Sequence, residues 1–244
     1  MLSGGVSLLH RIKAFIKRNA KKMVFGAQAS PDSFLKYLRE QGVVIGEGTC
    51  FFDPVNTIVD TQNPKLLIIG KNVRITSGVK LLTHDFSWSV IGGGYGECIG
   101  AIGSIEIGDN VFVGVNTVVL RNTVIGSHVI IGAGSVVSGV LEGGCVYAGN
   151  PAKKIMTLEE FYEKRKDRRP SEIASVLSKI NRADKDEVWR YLREYSCYFK
   201  DAPAEMKKQI MADSGYLAEC EAFYSEHVPV CELKEFIGGE EEGK

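Results

Sequence analysis

The feature that most constrains this sequence is a strict period of six, which begins at Ile107 in IEIGDNVFVGVNTVVLRNTVIGSHVIIGAGSVVSGV. A period of six matches neither an amphipathic helix nor the two-residue alternation of a half-buried strand. It predicts short strands, joined by tight turns and wound into a solenoid. Aliphatic residues recur at Ile107, Val113, Val119, Ile125, Ile131 and Val137. Small or β-branched residues follow four places later, at Val111, Thr117, Thr123, Val129 and Ser135.

Each repeat position has a physical role. The aliphatic residue points into the coil and stacks on its equivalent one coil away, at about 4.8 Å. Glycine follows the aliphatic residue at several repeats and permits the turn backbone. Neighbouring coils satisfy each other's backbone groups, so hydrogen bonding and burial grow together. A β-sandwich of short strands is rejected, because its turns would fall every 8–12 residues and would not keep this phase.

The same period continues upstream more weakly, with a phase defect expected near Asn63–Pro64. The residues in phase are Ile45, Thr49, Phe51, Val55, Ile69, Val73, Ile75, Val79 and Leu81. The sequence therefore predicts a mainly β chain, with a parallel β-helix over residues 43–156. It also predicts one irregular excursion over residues 83–104, rich in glycine and aromatic residues.

Helical segments are expected on both sides of the solenoid, over residues 1–42 and 157–244. Ser30-Pro31 caps a helix that Gly42 ends. Thr157-x-x-Glu160 is a capping box, and Asp184 with Glu187 repeats that spacing. The C-terminal extension carries an apolar stripe, for which packing against a partner or within a trimer is a better explanation than chemistry. The members of this stripe are Val188, Tyr191, Leu192 and Tyr195. The acidic end, GGEEEGK, is expected to be frayed.

Composition excludes several classes of protein. Thirty basic residues balance thirty acidic ones among 244, so charge gives no case for nucleic-acid binding. No apolar run reaches the length of a membrane span, and the N-terminus lacks the features of a secretory signal. The cysteines show no C-x-x-C spacing, which favours reduced thiols in a cytoplasmic protein. They are Cys50, Cys98, Cys145, Cys197, Cys220 and Cys231.

Three motifs together resemble the hexapeptide-repeat acyltransferases, within them the maltose/galactoside O-acetyltransferase branch that includes polysaccharide O-acetyltransferases. They are the repeats over 107–140, NTIVD at 56–60 and AGNPAKKI at 148–155. The resemblance covers roughly half the chain and implies a left-handed β-helix, an exception to right-handed crossovers. It further implies a homotrimer with acetyl-CoA bound between subunits. No metal is expected, because the solenoid contains only two histidines, His84 and His128. The N-terminal segment and the long C-terminal extension depart from the sugar acetyltransferases, so the acceptor stays open.

His84 is the expected general base. Of the four histidines, His10 and His227 lack chemical neighbours in the sequence, and His128 lies at a turn of the solenoid. His84 ends a coil strand and opens the excursion, where the family places its base. A neutral imidazole there can take the proton of an alcohol that attacks a thioester directly, without an acyl-enzyme. The alternative is a merely structural histidine.

The residue that orients His84 is left open, because Asp85 is adjacent to it and adjacent residues of an extended segment point to opposite sides. Asn56 in NTIVD matches the family's active-site asparagine, contributed from the adjoining coil or subunit. It would donate to the acceptor or to the oxyanion. An asparagine that simply makes a turn after Pro54-Val55 is an equal alternative.

The resemblance also implies where the donor and the acceptor bind. CoA would lie along the last coils, on Val115, Ala133, Ser138, Gly139 and Lys153, with Lys153 on a phosphate. The equal alternative is that Ala133 is small for packing and Lys153 is solvated. In the excursion, Asp85, Phe86, Trp88 and Tyr95 form the expected acceptor loop, in which glycines 92–94 permit a lid motion. The alternative is a structural role, in which this loop covers part of a neighbouring subunit.

Other functions of solenoid proteins place different requirements on the sequence. A γ-class carbonic anhydrase needs three zinc-binding histidines from adjoining coils, which this solenoid lacks. A fused nucleotidyltransferase needs a nucleotide domain that 42 residues cannot hold. A sugar N-acyltransferase, an acyl-carrier-protein-dependent acyltransferase and a non-catalytic scaffold stay open. The basic residues 11–22 allow weak peripheral contact with an anionic membrane, although a helix packed across a trimer explains the same pattern.

Overall fold

The computed structural model describes residues 20–227 and 231–237. The chain divides into two compact units, Met1–Phe161 and Tyr162–Lys244. The described strands, all in the first unit, are β1 Val44–Ile45, β2 Cys50–Phe51, β3 Ile58–Val59, β4 Leu67–Ile69, β5 Arg74–Ile75, β6 Lys80–Leu81, β7 His84–Asp85, β8 Ala101–Ile102, β9 Ile105–Ile107, β10 Val111–Val113, β11 Val118–Ile125, β12 Val129–Ile131, β13 Val136–Leu141, β14 Cys145–Ala148 and β15 Lys153–Thr157.

The helices with both ends described are α1 Pro31–Gln41, α2 Trp88–Tyr95, α3 Leu158–Leu177, α4 Lys185–Tyr191, α5 Ala204–Ser214, α6 Leu217–Glu226 and α7 Leu233–Ile237. Short 3₁₀ helices occupy Gly26–Ala29, Pro54–Asn56, Pro64–Leu66 and Arg193–Tyr198. The prediction of a mainly β chain is therefore correct for the solenoid but wrong for the chain as a whole. In the described part of the second unit, the regular structure is helical.

Apart from β7, β8 and β15, the strands of the first unit form a three-faced parallel coil. One face stacks β1, β4, β9 and the second halves of β11 and β13, and another stacks β2, β5, β10, β12 and β14. The third face stacks β3, β6 and the first halves of β11 and β13. The long strands β11 and β13 turn a corner, where their register shifts between Val119 and Thr123. After the last parallel strand, β15 reverses direction and pairs antiparallel with β14.

Burial confirms the six-residue period. All six aliphatic residues that begin at Ile107 are at most 2% exposed, and the small or β-branched residues between them are also buried. Upstream, Ile45 and Val55 are only half-buried. Ile45 still packs against the core, but the assignment of Val55 is wrong, because Thr57 takes the core position. The reason is the 3₁₀ helix Pro54–Asn56, which shifts the phase of the repeat by two residues before the next strand begins. The phase defect expected near Asn63-Pro64 is confirmed by the 3₁₀ helix Pro64–Leu66.

The corners of the coil require unusual backbone and leave little space. Asn110, Asn116, Asn122 and His128 have φ between 54° and 60°, a left-handed conformation that asparagine tolerates better than most residues. His128 is an exposed corner residue, as the sequence predicts, and its Nδ1 lies 2.8 Å from Asn110 Nδ2. A Cβ added to Gly114 would lie 2.5 Å from the backbone nitrogen of Ala133.

The expected helix caps are present. Ser30 caps α1 and shares a capping box with Ser33, while Gly42 ends the helix with φ of 107°. Thr157 and Glu160 form their capping box at the start of α3, with the Thr157 amide 2.7 Å from Glu160 Oε2. The Asp184 side chain accepts from the amides of Asp186 and Glu187. These side chains satisfy amides that the first turn of a helix leaves without partners.

The C-terminal unit has its own core. The core contains Ile173, Leu177, Val188, Trp189, Leu192, Phe199, Ala202 and Leu233. Within the predicted stripe, Val188 and Leu192 are fully buried and Tyr195 packs beside them. Tyr191 is 56% exposed, so its assignment to the stripe is wrong. The short helix α4 ends at Tyr191, and the chain tightens into the 3₁₀ helix Arg193–Tyr198.

The excursion is more regular than the sequence suggests. Strands β7 and β8 pair antiparallel, with His84 opposite Ile102, and helix α2 lies between them. Glycines 92–94 belong to this helix, in which no residue is buried. The expectation of an irregular loop is therefore wrong. The period of six ends there because the chain leaves the coil, not because it lacks structure.

Three predictions fall on residues outside the described ranges: the isolation of His10, membrane contact by residues 11–22, of which 11–19 are not described, and fraying of residues 238–244. Across the described ranges, no helix is both long enough and apolar enough to span a bilayer. All six cysteines fall in the described part, and all are free thiols.

Candidate active site

Strand β7 begins with His84, and the neighbouring coil supplies its partner. The coil stacks β3 beside β6, with Val59 opposite Leu81. The amide of Asp60 donates to the carbonyl of Leu81 at 3.0 Å, which fixes the residue after β3 beside the end of β6. Asp60 Oδ2 contacts His84 Nδ1. The residue that orients His84 is therefore Asp60, the last residue of the NTIVD motif.

The Asp60 carboxylate is buried and surrounded by donors. Its side chain is 5% exposed. It accepts from the Thr83 amide at 3.2 Å, from the Thr83 hydroxyl and from the Gln62 amide at 3.0 Å. Burial alone would raise the pKa of Asp60, but the hydrogen bonds from Thr83, His84 and Gln62 outweigh it and hold that pKa below its ordinary value. Asp60 is therefore a fixed anion beneath the imidazole.

This contact assigns the tautomer of His84. A carboxylate only accepts hydrogen bonds, so Nδ1 must carry a proton and donate it to Asp60. In the neutral ring Nε2 is then the acceptor. The His84 side chain is 34% exposed, so it is partly open to solvent. An imidazole held in this way can accept a proton from a bound hydroxyl.

A cleft of about 270 Å³ adjoins the imidazole. It is lined by Leu82, His84, Asp85, Leu120, Arg121 and Ser138. Two leucines give it an apolar part, and the remaining residues provide polar groups within reach of His84. A larger cavity, of about 750 Å³, lies in the C-terminal unit, but its histidine, His227, bonds the carbonyl of Phe223 rather than a carboxylate. The chemistry therefore favours the smaller cleft.

Asp85 takes no part in the Asp60–His84 contact. Its Oδ2 accepts from Arg121 Nε at 3.1 Å, and its Oδ1 accepts from the Ser87 amide at 2.9 Å. Hydrogen bonds from Ser87, together with the guanidinium of Arg121, lower the pKa of Asp85 to about 2. Asp85 is thus ionised and committed to these partners.

The side chain of Asn56 bonds Asp53 and not His84. It ends the 3₁₀ helix Pro54–Asn56, and its Nδ2 donates to Asp53 Oδ2 at 2.6 Å. The same carboxylate oxygen accepts from the Ser77 hydroxyl at 2.7 Å. These two side chains hold the pKa of Asp53 below its ordinary value. Asn56 is exposed and makes no hydrogen bond to His84.

The residues expected to bind CoA are exposed on the later coils. Val115 and Ala133 lie on neighbouring turns, where the Gly134 amide donates to the Val115 carbonyl at 2.7 Å. Gly139 has φ of 76° and open space where a Cβ would lie. Lys153 is exposed on β15. Of the five expected residues, the cleft brings only Ser138 to His84.

Of the residues expected to form an acceptor loop, only some lie together. The rings of Phe86 and Trp88 lie 4.4 Å apart at an angle of 54°. Tyr95, at the far end of α2, is 87% exposed and contacts neither ring. Phe86 and Trp88 therefore form one aromatic surface beside Asp85, and Tyr95 stands separately.

Sequence reasoning missed Asp60 and Arg121. Asp60 is the last residue of the NTIVD motif. The available signal was that it directly follows a strand of the repeat in which Ile58 points outward and Val59 points inward. Arg121 is the charged residue of the strand segment VVLRNTV, at the corner between two coil faces. A charged residue at that corner was a signal for a side chain turned toward the cleft.

Comparison with known proteins agrees with this architecture. The family described as bacterial transferase hexapeptide (six repeats) matches residues 104–139. Protein CapG of Staphylococcus aureus is 40% identical over 127 residues, which cover 52% of this chain and 73% of CapG.

Among solved structures, a hexapeptide-repeat acetyltransferase of Vibrio cholerae matches with 19% identity and a TM-score of 0.43, covering 61% of this chain and 93% of that one. A maltose O-acetyltransferase of Clostridium difficile gives 21% identity and a TM-score of 0.38, covering 59% and 88%.

The chain belongs to the hexapeptide-repeat acyltransferase superfamily. It is accordingly a member of an enzyme class whose proteins use acyl-CoA donors and typically form trimers.

Proposed function

We propose that the protein is an acetyl-CoA-dependent O-acetyltransferase that modifies a hydroxyl of a sugar, in a cell-surface glycan or its precursor. The observation that carries this proposal is the contact between Asp60 and His84 at a cleft, in a chain of the acyltransferase superfamily. An alcohol is a poor nucleophile at neutral pH, so its acetylation requires a positioned base. The Asp60–His84 pair meets that requirement.

In this mechanism Asp60 holds the imidazole and stabilises the imidazolium that forms. Nε2 of His84 takes the proton of the acceptor hydroxyl as its oxygen attacks the acyl carbonyl. The protonated imidazole then returns that proton to the departing thiolate. The transfer is direct, with no acyl-enzyme. The oxyanion requires hydrogen-bond donors, and Asn56 of an adjoining subunit or exposed backbone amides would supply them.

The chain's own surface fits the donor. Val115, Ala133, Ser138, Gly139 and Lys153 are all exposed, and the open backbone at Gly139 permits close approach of a ligand. Lys153 would pair with a phosphate of CoA, while Ser138 would mark the end of the path nearest His84. The bound thioester supplies an activated acyl carbonyl.

The assembly that we propose is a homotrimer of left-handed β-helices with the active sites between subunits. Residues 43–156 would form the catalytic domain, residues 1–42 an N-terminal helical segment and residues 157–244 a helical extension. Asp85, Phe86, Trp88 and Tyr95 would contact the acceptor. The aromatic surface of Phe86 and Trp88 suits a sugar ring.

The test is thiol release from acetyl-CoA with a panel of sugars, amino sugars and nucleotide sugars. Wild type is compared with His84→Ala and with His128→Ala, which removes a corner histidine of the same solenoid. We expect turnover to vanish only in His84→Ala, with the trimer and its Tm retained. Turnover that survives in His84→Ala would contradict the proposed base. Transfer to amino sugars alone would indicate N-acylation instead.

A further inference from the structure

The cleft beside His84 contains an arginine that neither the family resemblance nor the repeat accounts for. Arg121 lies in β11, on the solenoid, and its guanidinium reaches across to Asp85 on β7. Both side chains line the cleft together with His84. The arginine therefore lies on the wall against which an acceptor would bind.

Only one edge of this guanidinium is occupied. Nε donates to Asp85 Oδ2 at 3.1 Å, and the two terminal nitrogens meet no acceptor among the described residues. The Arg121 side chain is 37% exposed. A guanidinium offers five N–H donors in a rigid plane, so an anchor at Nε leaves the outer edge with two parallel donors. That edge matches the two oxygens of a carboxylate.

Each oxygen of Asp85 has one partner. One of its oxygens faces Arg121, and the other accepts from the Ser87 amide at 2.9 Å. The contact with Asp85 fixes the orientation of the Arg121 guanidinium. The pair is neutral as a whole, so recognition would depend on local geometry rather than on a long-range field.

We propose that the outer edge of Arg121 binds a carboxylate of the acceptor, so that the enzyme selects an acidic sugar, a uronic acid, over its neutral counterpart. This inference rests on the proposed acetyl transfer at His84. The carboxylate is held at Arg121 while a hydroxyl of the same sugar faces His84. Leu82 and Leu120 line the apolar part of the cleft. Arg121 thereby determines specificity, whereas Asp60 positions the base.

The kinetic test uses matched sugars that differ only at C6: UDP-glucuronate against UDP-glucose, and methyl galacturonide against methyl galactoside. Thiol release is measured for wild type, Arg121→Gln and Arg121→Lys. We expect wild type to prefer the uronates, and Arg121→Gln to raise the KM for them about 10–100-fold. Arg121→Lys keeps the positive charge but lacks the paired N–H donors of a guanidinium, so its KM for the uronates should be intermediate. The KM for acetyl-CoA should not change.

Two controls separate recognition from stability. Arg165→Gln removes an arginine of the C-terminal unit that is paired with Glu172 at 2.9 Å, and it should leave the kinetics as they are. Tm is measured for every variant. Uronate binding is also measured by calorimetry on the turnover-silent His84→Ala protein, with and without Arg121→Gln, because binding does not require transfer.

The outcomes distinguish the two proposals. Uronate binding that depends on Arg121 supports this inference even if no thiol is released and the proposed acetyl transfer is rejected. Equal use of neutral and acidic sugars overturns it while the acetyltransferase stands. An increase in the KM for acetyl-CoA, without a change in sugar preference, would place Arg121 on the donor and overturn it. Absence of both uronate binding and uronate turnover overturns it as well.

Discussion

The coils and the excursion differ in how closely their backbone is packed. In the coils, inward side chains such as Val113 and Val119 are fully buried, and a Cβ on Gly114 would collide with the next turn. In the excursion, α2 buries no residue, and a Cβ on Gly93 would meet nothing within 4 Å. His84 lies where the two regions meet. The coil fixes the orientation of His84, the proposed base, through Asp60, whereas the helix of the excursion is exposed.

The largest effect is expected at this junction, for Asp60→Asn. An asparagine of the same shape can present its amide to Nδ1 and so impose the wrong tautomer on His84. We expect kcat to fall about 10³-fold, roughly 4 kcal/mol of activation free energy. Thiol release measures this effect, and the circular-dichroism spectrum reports whether the coil is retained.

Asp109→Asn is the matched control for Asp60→Asn. Asp109 is a solenoid carboxylate that accepts from the Lys71 amide at 2.7 Å and has no contact with His84. It should leave kcat within a few-fold of wild type. An Asp60→Asn protein as active as this control would show that the coil does not set the chemistry of His84.

The next effect concerns the coil alone. In Gly114→Ala, the new methyl group would lie 2.5 Å from the Ala133 nitrogen and 2.7 Å from the Ile131 oxygen, both backbone atoms that are fixed by their own coil. Overpacking of this kind costs about 1–3 kcal/mol. Urea unfolding followed by circular dichroism should show that loss in the free energy of unfolding. An unchanged midpoint would mean that neighbouring coils can move apart.

The same contrast explains which parts were predictable from sequence. Val113 and Val119 could be assigned to the core because aliphatic residues recur at the same position of every repeat from Ile107 to Val137. Asp60 could not be paired with His84, because 24 residues separate them where a regular coil, as at Asn110 and His128, uses 18. The 3₁₀ helix Pro64–Leu66 lies within that longer segment. The other 3₁₀ helix, Pro54–Asn56, precedes Asp60 and displaces Val55 from the core. Helix α2 was missed because Gly92–94 disfavour a helix intrinsically.

A smaller effect should appear in the response to acid. The pKa of Asp60 is lowered below its ordinary value of 3.8, so its contribution to stability is present above that value. The contribution is lost as pH falls through the pKa in the folded protein. The difference in unfolding free energy between wild type and Asp60→Asn should therefore shrink between about pH 6 and about pH 3. Asp53 and Asp85 also have lowered pKa values, but wild type and Asp60→Asn both contain them, so their effects cancel in the difference.

Constant-pH urea titrations measure this difference. If it is the same at both ends of the pH range, then Asp60 is not the stabilised anion that the donors around it imply. If it grows toward acid, the sign of the pKa shift is reversed, and burial outweighs the hydrogen bonds from Thr83 and Gln62.

The smallest effect is expected for Gly93→Ala, the counterpart of Gly114→Ala in the excursion. The new methyl group has open space and lies within helix α2, where alanine is favoured over glycine by about 1 kcal/mol. We therefore expect an unchanged or slightly higher unfolding midpoint, measured beside Gly114→Ala in the same urea series. A marked loss of stability would mean that another subunit covers this helix, and the excursion would then be held as tightly in the assembly as the coil is in the single chain.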